Sequence, residues 1–323
     1  MSILVVEHKT SSEDVSQGSV YWQKLQLDAQ VSNYIVGARS LGYEPDGVLY
    51  DVLRKPDIEP LKATPIADRK YTKPTKKDPE SRLYANQRDR DETPDEYYDR
   101  CIATIAKDPD KYLQRGIVVR LSSEEADAAY DMWHTGEAIQ ASRAANRWPR
   151  NVDACANFHR LCDYWIVCTG QTEIEDPLHF VHEEKSHSEL DGKHHLPMLT
   201  TSSARTFRSC PRKYFFSYEL GRKARSRATA LSFGSVVHAA LESWLQAGID
   251  SALVQLVAIN DPYLRAKAEA MVRAYDLRWR DEPLKLIATE KEFVADLVDP
   301  ETGTASEAWV LAGKLDALVE RQG

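Results

Sequence analysis

The run Ile3-Leu4-Val5-Val6 is continuously apolar, so residues 3–7 read as a buried strand. Helical spacing takes over across residues 18–39, where Leu25, Leu27, Val31, Tyr34 and Ile35 return to one face. Gly42 and Gly47 then bracket a turn. Residues 48–53 form a second strand, which ends at Lys55-Pro56 because proline removes the donor that a sheet ladder needs. From 57 to 110 the chain becomes charged and proline-bearing, including Arg69-Lys70-Tyr71-Thr72-Lys73-Pro74-Thr75-Lys76-Lys77, and is expected to be a surface excursion.

Residues 116–121 offer a short strand, and Ser122-Ser123-Glu124-Glu125 opens a helix predicted to persist to about Asn146. A cysteine-bearing segment follows. Residues 180–195, with His182, Glu183, Glu184, Lys185 and His187, lack apolar periodicity and read as a tail or linker. Helices are predicted over 202–218, 229–246 and 262–280, then strands over 285–297 and 308–319, with no internal repeat. The chain thus divides into 1–57, a charged excursion at 58–121, a helix with three cysteines at 122–179, a linker at 180–198, and helices and strands at 199–323.

At 323 residues with 42% hydrophobic content, the chain is long enough for one elaborated domain or two with a substantial core. No stretch approaches the roughly 20 apolar residues needed to cross a bilayer, and the start lacks a charged region ahead of its few apolar residues, so a cytoplasmic location is expected. The net charge of -8 argues against a protein that coats nucleic acid by bulk electrostatics. Its distribution is uneven: Arg205, Arg208, Arg212, Lys213, Arg222, Lys223, Arg225 and Arg227 stand against the single acid Glu219 within residues 205–227. Such a patch suits phosphate binding, with a plain solvated face as the competing reading.

The acidic residues carry the strongest chemistry. Side chains alternate along a strand, so Glu7 and Lys9 share a face while His8 points to the other. Read around a circle, Asp316 is followed after thirteen residues by Glu7, the spacing of two strands joined by a short turn. Two converging carboxylates repel unless a cation lies between them, and hard oxygen ligands suit Mg2+ or Mn2+. Taken alone, Glu-x-Lys is a commonplace surface pair. On the helix around Phe233-Gly234, an apolar stripe of Phe233, Val237, Leu241 and Trp244 leaves His238 and Glu242 together at i and i+4. Gln30 and Tyr34 likewise sit four apart on one helix face.

The ordered set Cys210-Pro211-Arg212-Lys213-Tyr214, Phe233-Gly234-x-x-x-His238, Gly313-x-x-Asp316, Glu7-x-Lys9 and Gln30-x-x-x-Tyr34 resembles the PD-(D/E)XK nucleases of the RecB-like exonuclease branch. That branch includes CRISPR-associated RecB-like exonucleases and phage recombination exonucleases. In it the Asp strand precedes the Glu-x-Lys strand, so this chain looks circularly permuted, with its termini in the turn between two adjacent core strands and the 180–198 linker joining the original ends. The resemblance implies an α/β, restriction-endonuclease-like core: a mixed β-sheet flanked by helices. It also implies that His238, Asp316 and Glu7 bind Mg2+ or Mn2+ together with the His8 backbone carbonyl, that Lys9 is the catalytic lysine, and that Gln30 and Tyr34 contact DNA.

Cys155, Cys162, Cys168 and Cys210 resemble the 4Fe-4S staple of the same branch, with Cys101 left over. Buried free thiols and tetrahedral zinc remain alternatives, and His159 is a substitute ligand. The expected function is a metal-dependent DNA exonuclease acting from linear or single-stranded ends in recombination, repair, or phage or CRISPR DNA processing, in a bacterial or phage-infected cytoplasm. Arg205, Arg208, Arg212 and Lys213 would guide the strand, and Tyr214, Phe215 and Phe216 would stack bases. A recombination or CRISPR partner protein is compatible with this reading. Two rivals stand beside it: a catalytically silent DNA-binding or recombination-partner protein, and a structural protein built on a metal cluster.

Overall fold

The computed structural model describes residues 2–74, 80–157, 160–184, 187, 190, 194–225 and 227–321, with the side chains of 227–232 left aside. The chain opens with β1 (Ser2–Ser11), α1 (Val20–Leu25), α2 (Ala29–Ser40) and β2 (Gly47–Arg54). The helical stretch expected over 18–39 is therefore two helices. Asp28 breaks it by capping α2, its carboxylate accepting the Gln30 amide at 2.9 Å, and Leu27 falls in the break with its side chain in solvent.

Next come α3 (Pro94–Lys107), α4 (Pro109–Tyr112), β3 (Leu113–Val118) and α5 (Ser122–Ala145). Residues 94–112, expected within a surface excursion, instead fold onto the body. Thr93 and Glu96 close a reciprocal cap on α3, whose Tyr97, Cys101 and Ile105 are buried. Short pieces follow: β4 (Ala156–Asn157) paired with β5 (Arg160–Leu161), α6 (Trp165–Cys168), β6 (Phe180–His182) and β7 (Met198–Leu199). Part of the expected linker is thus strand, since β6 pairs with β8 (Arg222–Ala224). Lys185, together with Thr75, Lys76, Lys77 and His159, lies outside the described residues.

The helix expected over 202–218 is interrupted as well. It runs as α7 (Thr201–Ser209), α8 (Pro211–Tyr214) and one π-helical turn over Phe215–Glu219. Pro211 forces the residue before it out of the helical region, and Cys210 has φ -161° and ψ 110°. The chain ends with α9 (Arg227–Ala247), α10 (Ile249–Gln255), α11 (Pro262–Trp279), β9 (Leu284–Val298) and β10 (Ala305–Arg321).

A six-stranded mixed sheet organises these elements in the order β3-β2-β1-β10-β7, with β9 also on β10. The β1–β2 and β10–β7 pairs are parallel, the others antiparallel. Helices cover both faces. One apolar cluster joins α2 and α5 to Val5, Val48, Val52, Phe293 and Leu315; the other joins α9 and α11 to Leu53 and Leu113. No described helix is long and apolar enough to cross a membrane.

Candidate active site and metal centre

The site lies where two strands part. β1 and β10 pair from Ser2 with Arg321 to Val6 with Ala317. One further step in that register would set Glu7 against Asp316, but the ladder stops there. β1 goes on against β2 as far as Ser11, whereas β10 next meets β7 at Val310 and Leu311. Asp316 sits in the resulting gap. Its Oδ2 accepts the His8 backbone amide at 2.8 Å and lies 2.7 Å from His238 Nε2, delivered by α9. Glu7 is in direct contact with the Lys9 ammonium, as strand alternation predicts for residues two apart.

Gln30 Nε2 donates to Glu7 Oε1 at 3.1 Å and to the Tyr34 hydroxyl at 2.6 Å. Gln30 and Tyr34, expected to contact DNA, are here gathered around the Glu7 carboxylate, and Tyr34 is 8% exposed. Glu7 is 1% exposed, and its Oε2 is buried with no hydrogen-bond partner among the described residues.

Glu290 was not anticipated from the sequence. It stands on β9 between Thr289, which pairs with Ala317, and Lys291, which pairs with Leu315, and so faces Asp316 across the hairpin. Its φ of 48° is left-handed, a conformation that costs a glutamate about 1–3 kcal/mol and clusters at functional sites. Ligand atoms of His238, Glu290 and Asp316 all lie within 4.8 Å of one another, and Lys314 contacts Glu290. It enters the site only through the register of the β9–β10 hairpin, for which the sequence carries no local signal.

The electrostatics follow from this crowding. Burial, then the neighbouring Asp316 charge, pushes the Glu7 carboxyl up to about 7. Burial alone would raise Asp316 too, but the hydrogen bond and charge of His238 hold it below the ordinary carboxylate range. The same pair raises His238 despite its burial. Lys9, which burial would weaken, is raised by Glu7 and stays an ammonium. Convergent carboxylates, one imidazole and an orphaned buried oxygen make a donor set that fits a hard divalent cation such as Mg2+ or Mn2+.

A second convergence involves sulfur. Cys155, Cys162, Cys168 and Cys210 line one small enclosed space with Tyr164 and Lys213, and all are free thiols. Burial, followed by repulsion from Cys162 and Cys210, lifts the Cys155 thiol above its ordinary range. Cys101 is elsewhere, packed with Tyr97 under α11.

The basic segment is more structural than its composition suggests. Arg205 pairs with Asp28 at 3.1 Å, Arg208 with Asp131 at 3.7 Å, and Arg212 Nε donates to the Trp148 carbonyl at 2.7 Å. Tyr214 is 3% exposed and stacked between Trp148 and Tyr218, and Phe216 is buried too, so neither offers a ring face to a strand. Their apolar bulk is spent on the core. Phe215 stays only partly buried.

Residues 198–323 match the family model described as the PD-(D/E)XK nuclease superfamily. A mixed six-stranded sheet flanked by helices is consistent with the restriction-endonuclease-like fold of that class. The matched segment carries His238, Glu290 and Asp316, whereas Glu7 and Lys9 lie outside it and reach it through the β1–β10 ladder. Neither a curated protein nor a solved structure matches the chain.

Proposed function

We propose that this chain is a metal-dependent deoxyribonuclease of the RecB-like exonuclease kind, with its core in rotated order, acting on DNA ends. The observation that carries the reading is the buried, unpartnered Glu7 Oε2 within the field of Asp316, on the strand β1 that pairs with β10 of the matched nuclease region. Glu7, Asp316, His238 and the His8 carbonyl would hold Mg2+ or Mn2+, which neutralises charge on the scissile phosphate and acidifies a bound water.

The remaining work falls to the protein. Lys9, kept protonated by Glu7, donates to the attacking water or to a phosphate oxygen and stabilises the charge that builds there. Gln30, itself hydrogen-bonded to the Tyr34 hydroxyl, fixes Oε1 of the Glu7 carboxylate. Exposed Arg205 and Arg208, with Lys213 nearby, lie along one basic segment suited to a strand backbone. The four thiols, converging on one enclosed space, would ligate a 4Fe-4S cluster, with tetrahedral zinc as the alternative.

Digestion of end-labelled linear and closed-circular DNA with Mg2+, with Mn2+ and with chelator tests the proposal and reads polarity at the same time. Linear DNA should be degraded only with metal, and circles spared. Lys9→Ala and Asp316→Ala should each lower the rate by about 100- to 1,000-fold. Equal rates in parent and variants would overturn the assignment. Visible absorbance of the purified protein against its zinc content decides the nature of the thiol site.

A further inference from the structure

A row of charged residues crosses the sheet beside this site, and the proposed hydrolysis does not use it. His8 on β1 is the ladder partner of Asp51 on β2, and Asp51 is the ladder partner of Arg115 on β3, so the three side chains stand in line on one face. Asp51 is fully buried and the Arg115 side chain nearly so. The guanidinium grips the carboxylate with two bonds, Nε to Oδ1 at 2.6 Å and Nη2 to Oδ2 at 2.7 Å. From above, the Tyr275 hydroxyl of α11 donates to Asp51 Oδ2 at 2.6 Å. His8 Nδ1 lies 3.4 Å from the same oxygen, within ion-pair reach, and neither ring nitrogen makes a hydrogen bond among the described residues. Beyond Arg115, Glu282 continues the row to Arg321.

Such a row is expensive to keep. Withdrawing two ions from water costs several kcal/mol each, and apolar replacements are often as stable or more so. Stability is therefore a poor reason for it, and its end at His8 offers a better one. The His8 ring is wedged between the rings of Tyr275 and His238, at centroid distances of 6.3 and 6.1 Å. Its amide holds Asp316, and its neighbour is Glu7. Tyr275 also packs edge-on against Trp244, from the helix that carries His238.

We propose that Asp51, clamped by Arg115 and Tyr275, is a positioning residue for the metal centre: it anchors the His8 ring and thereby sets the main chain at Glu7 and His8 and the floor under His238. This rests on the nuclease reading above. Partners that orient metal ligands typically contribute 10- to 100-fold in metal affinity, and a change of that size is expected here.

The test uses the full chain with two changes, Tyr275→Phe and the charge-neutral pair Asp51→Asn with Arg115→Met, which leaves no lone buried ion. Mn2+ affinity is measured directly by titration, alongside DNA hydrolysis across Mn2+ concentrations and the urea midpoint. The expected result is Mn2+ binding weakened by about 10- to 100-fold in folded variants, with the hydrolysis rate at saturating Mn2+ close to the parent. Lys9→Ala should do the reverse, binding Mn2+ normally and hydrolysing slowly. Parent-like Mn2+ affinity in the folded variants overturns the proposal; should the double variant not fold, Tyr275→Phe decides alone. A parent that neither binds Mn2+ nor cuts DNA removes the nuclease reading itself, and this one with it.

Discussion

Glu7 concentrates the physics of the site in one carboxyl group. It titrates at about 7 in the folded chain against an ordinary 4.5, chiefly because it is buried. Between those values the fold retains a proton that the unfolded chain has already released, so metal-free stability falls as pH rises from 4.5 towards 7. The full loss is on the order of 3 kcal/mol. Urea midpoints in chelator should show this slope, Glu7→Gln should flatten it, and added Mn2+ should restore stability at neutral pH. A parent whose midpoint ignores pH in that range would contradict the burial argument. Glu7, Lys9, His238 and Asp316 were legible because strand alternation and motif spacing are properties of sequence. Glu290 and Asp51 were not, because each matters through a partner on another strand, and pairing register is not written in either segment.

Elements show where local pattern and tertiary packing disagree. Start signals and apolar spacing located the helices at 122–145, 227–247 and 262–279 to within two residues. It ran through the breaks at Asp28 and Cys210-Pro211, where a cap and a proline override periodicity. Charge around 58–121 hid α3, whose Tyr97, Cys101 and Ile105 fall only on every fourth position.

Packing between elements has its own test. A Cβ added at Gly37 of α2 would come 2.5 Å from the Phe293 ring of β9, and one at Gly313 of β10 would come 2.7 Å from it. These contacts seat the helix bearing Gln30 and Tyr34 on the strand pair bearing Glu290 and Asp316. Gly37→Ala should therefore cost about 1–3 kcal/mol by overpacking, read as a lowered urea midpoint. Combining it with Phe293→Leu should recover part of that loss. An unchanged midpoint for Gly37→Ala would mean that the ring moves aside freely.

For the whole molecule, the sheet joins what the sequence separates. Ser2 pairs with Arg321, so the two ends of the described chain are ladder neighbours, as the rotated order of motifs led one to expect. A turn of a few residues bridging them in a backbone-cyclised protein should leave metal-dependent DNA hydrolysis intact. It should also raise stability, on the order of 5 kcal/mol in a chain-entropy picture, seen as a higher urea midpoint. Loss of activity with an intact fold would show that the bridge distorts the gap at Asp316. The sheet order itself was only partly readable, since strand neighbours such as β10 and β7 are distant in sequence and too brief to leave a pattern.

The bond from the His8 amide to Asp316 spans 308 positions. A polypeptide holding only one of these two strands carries a single member of the Glu7–Asp316 pair. The acid pair therefore assembles only once β1 and β10 have docked against each other.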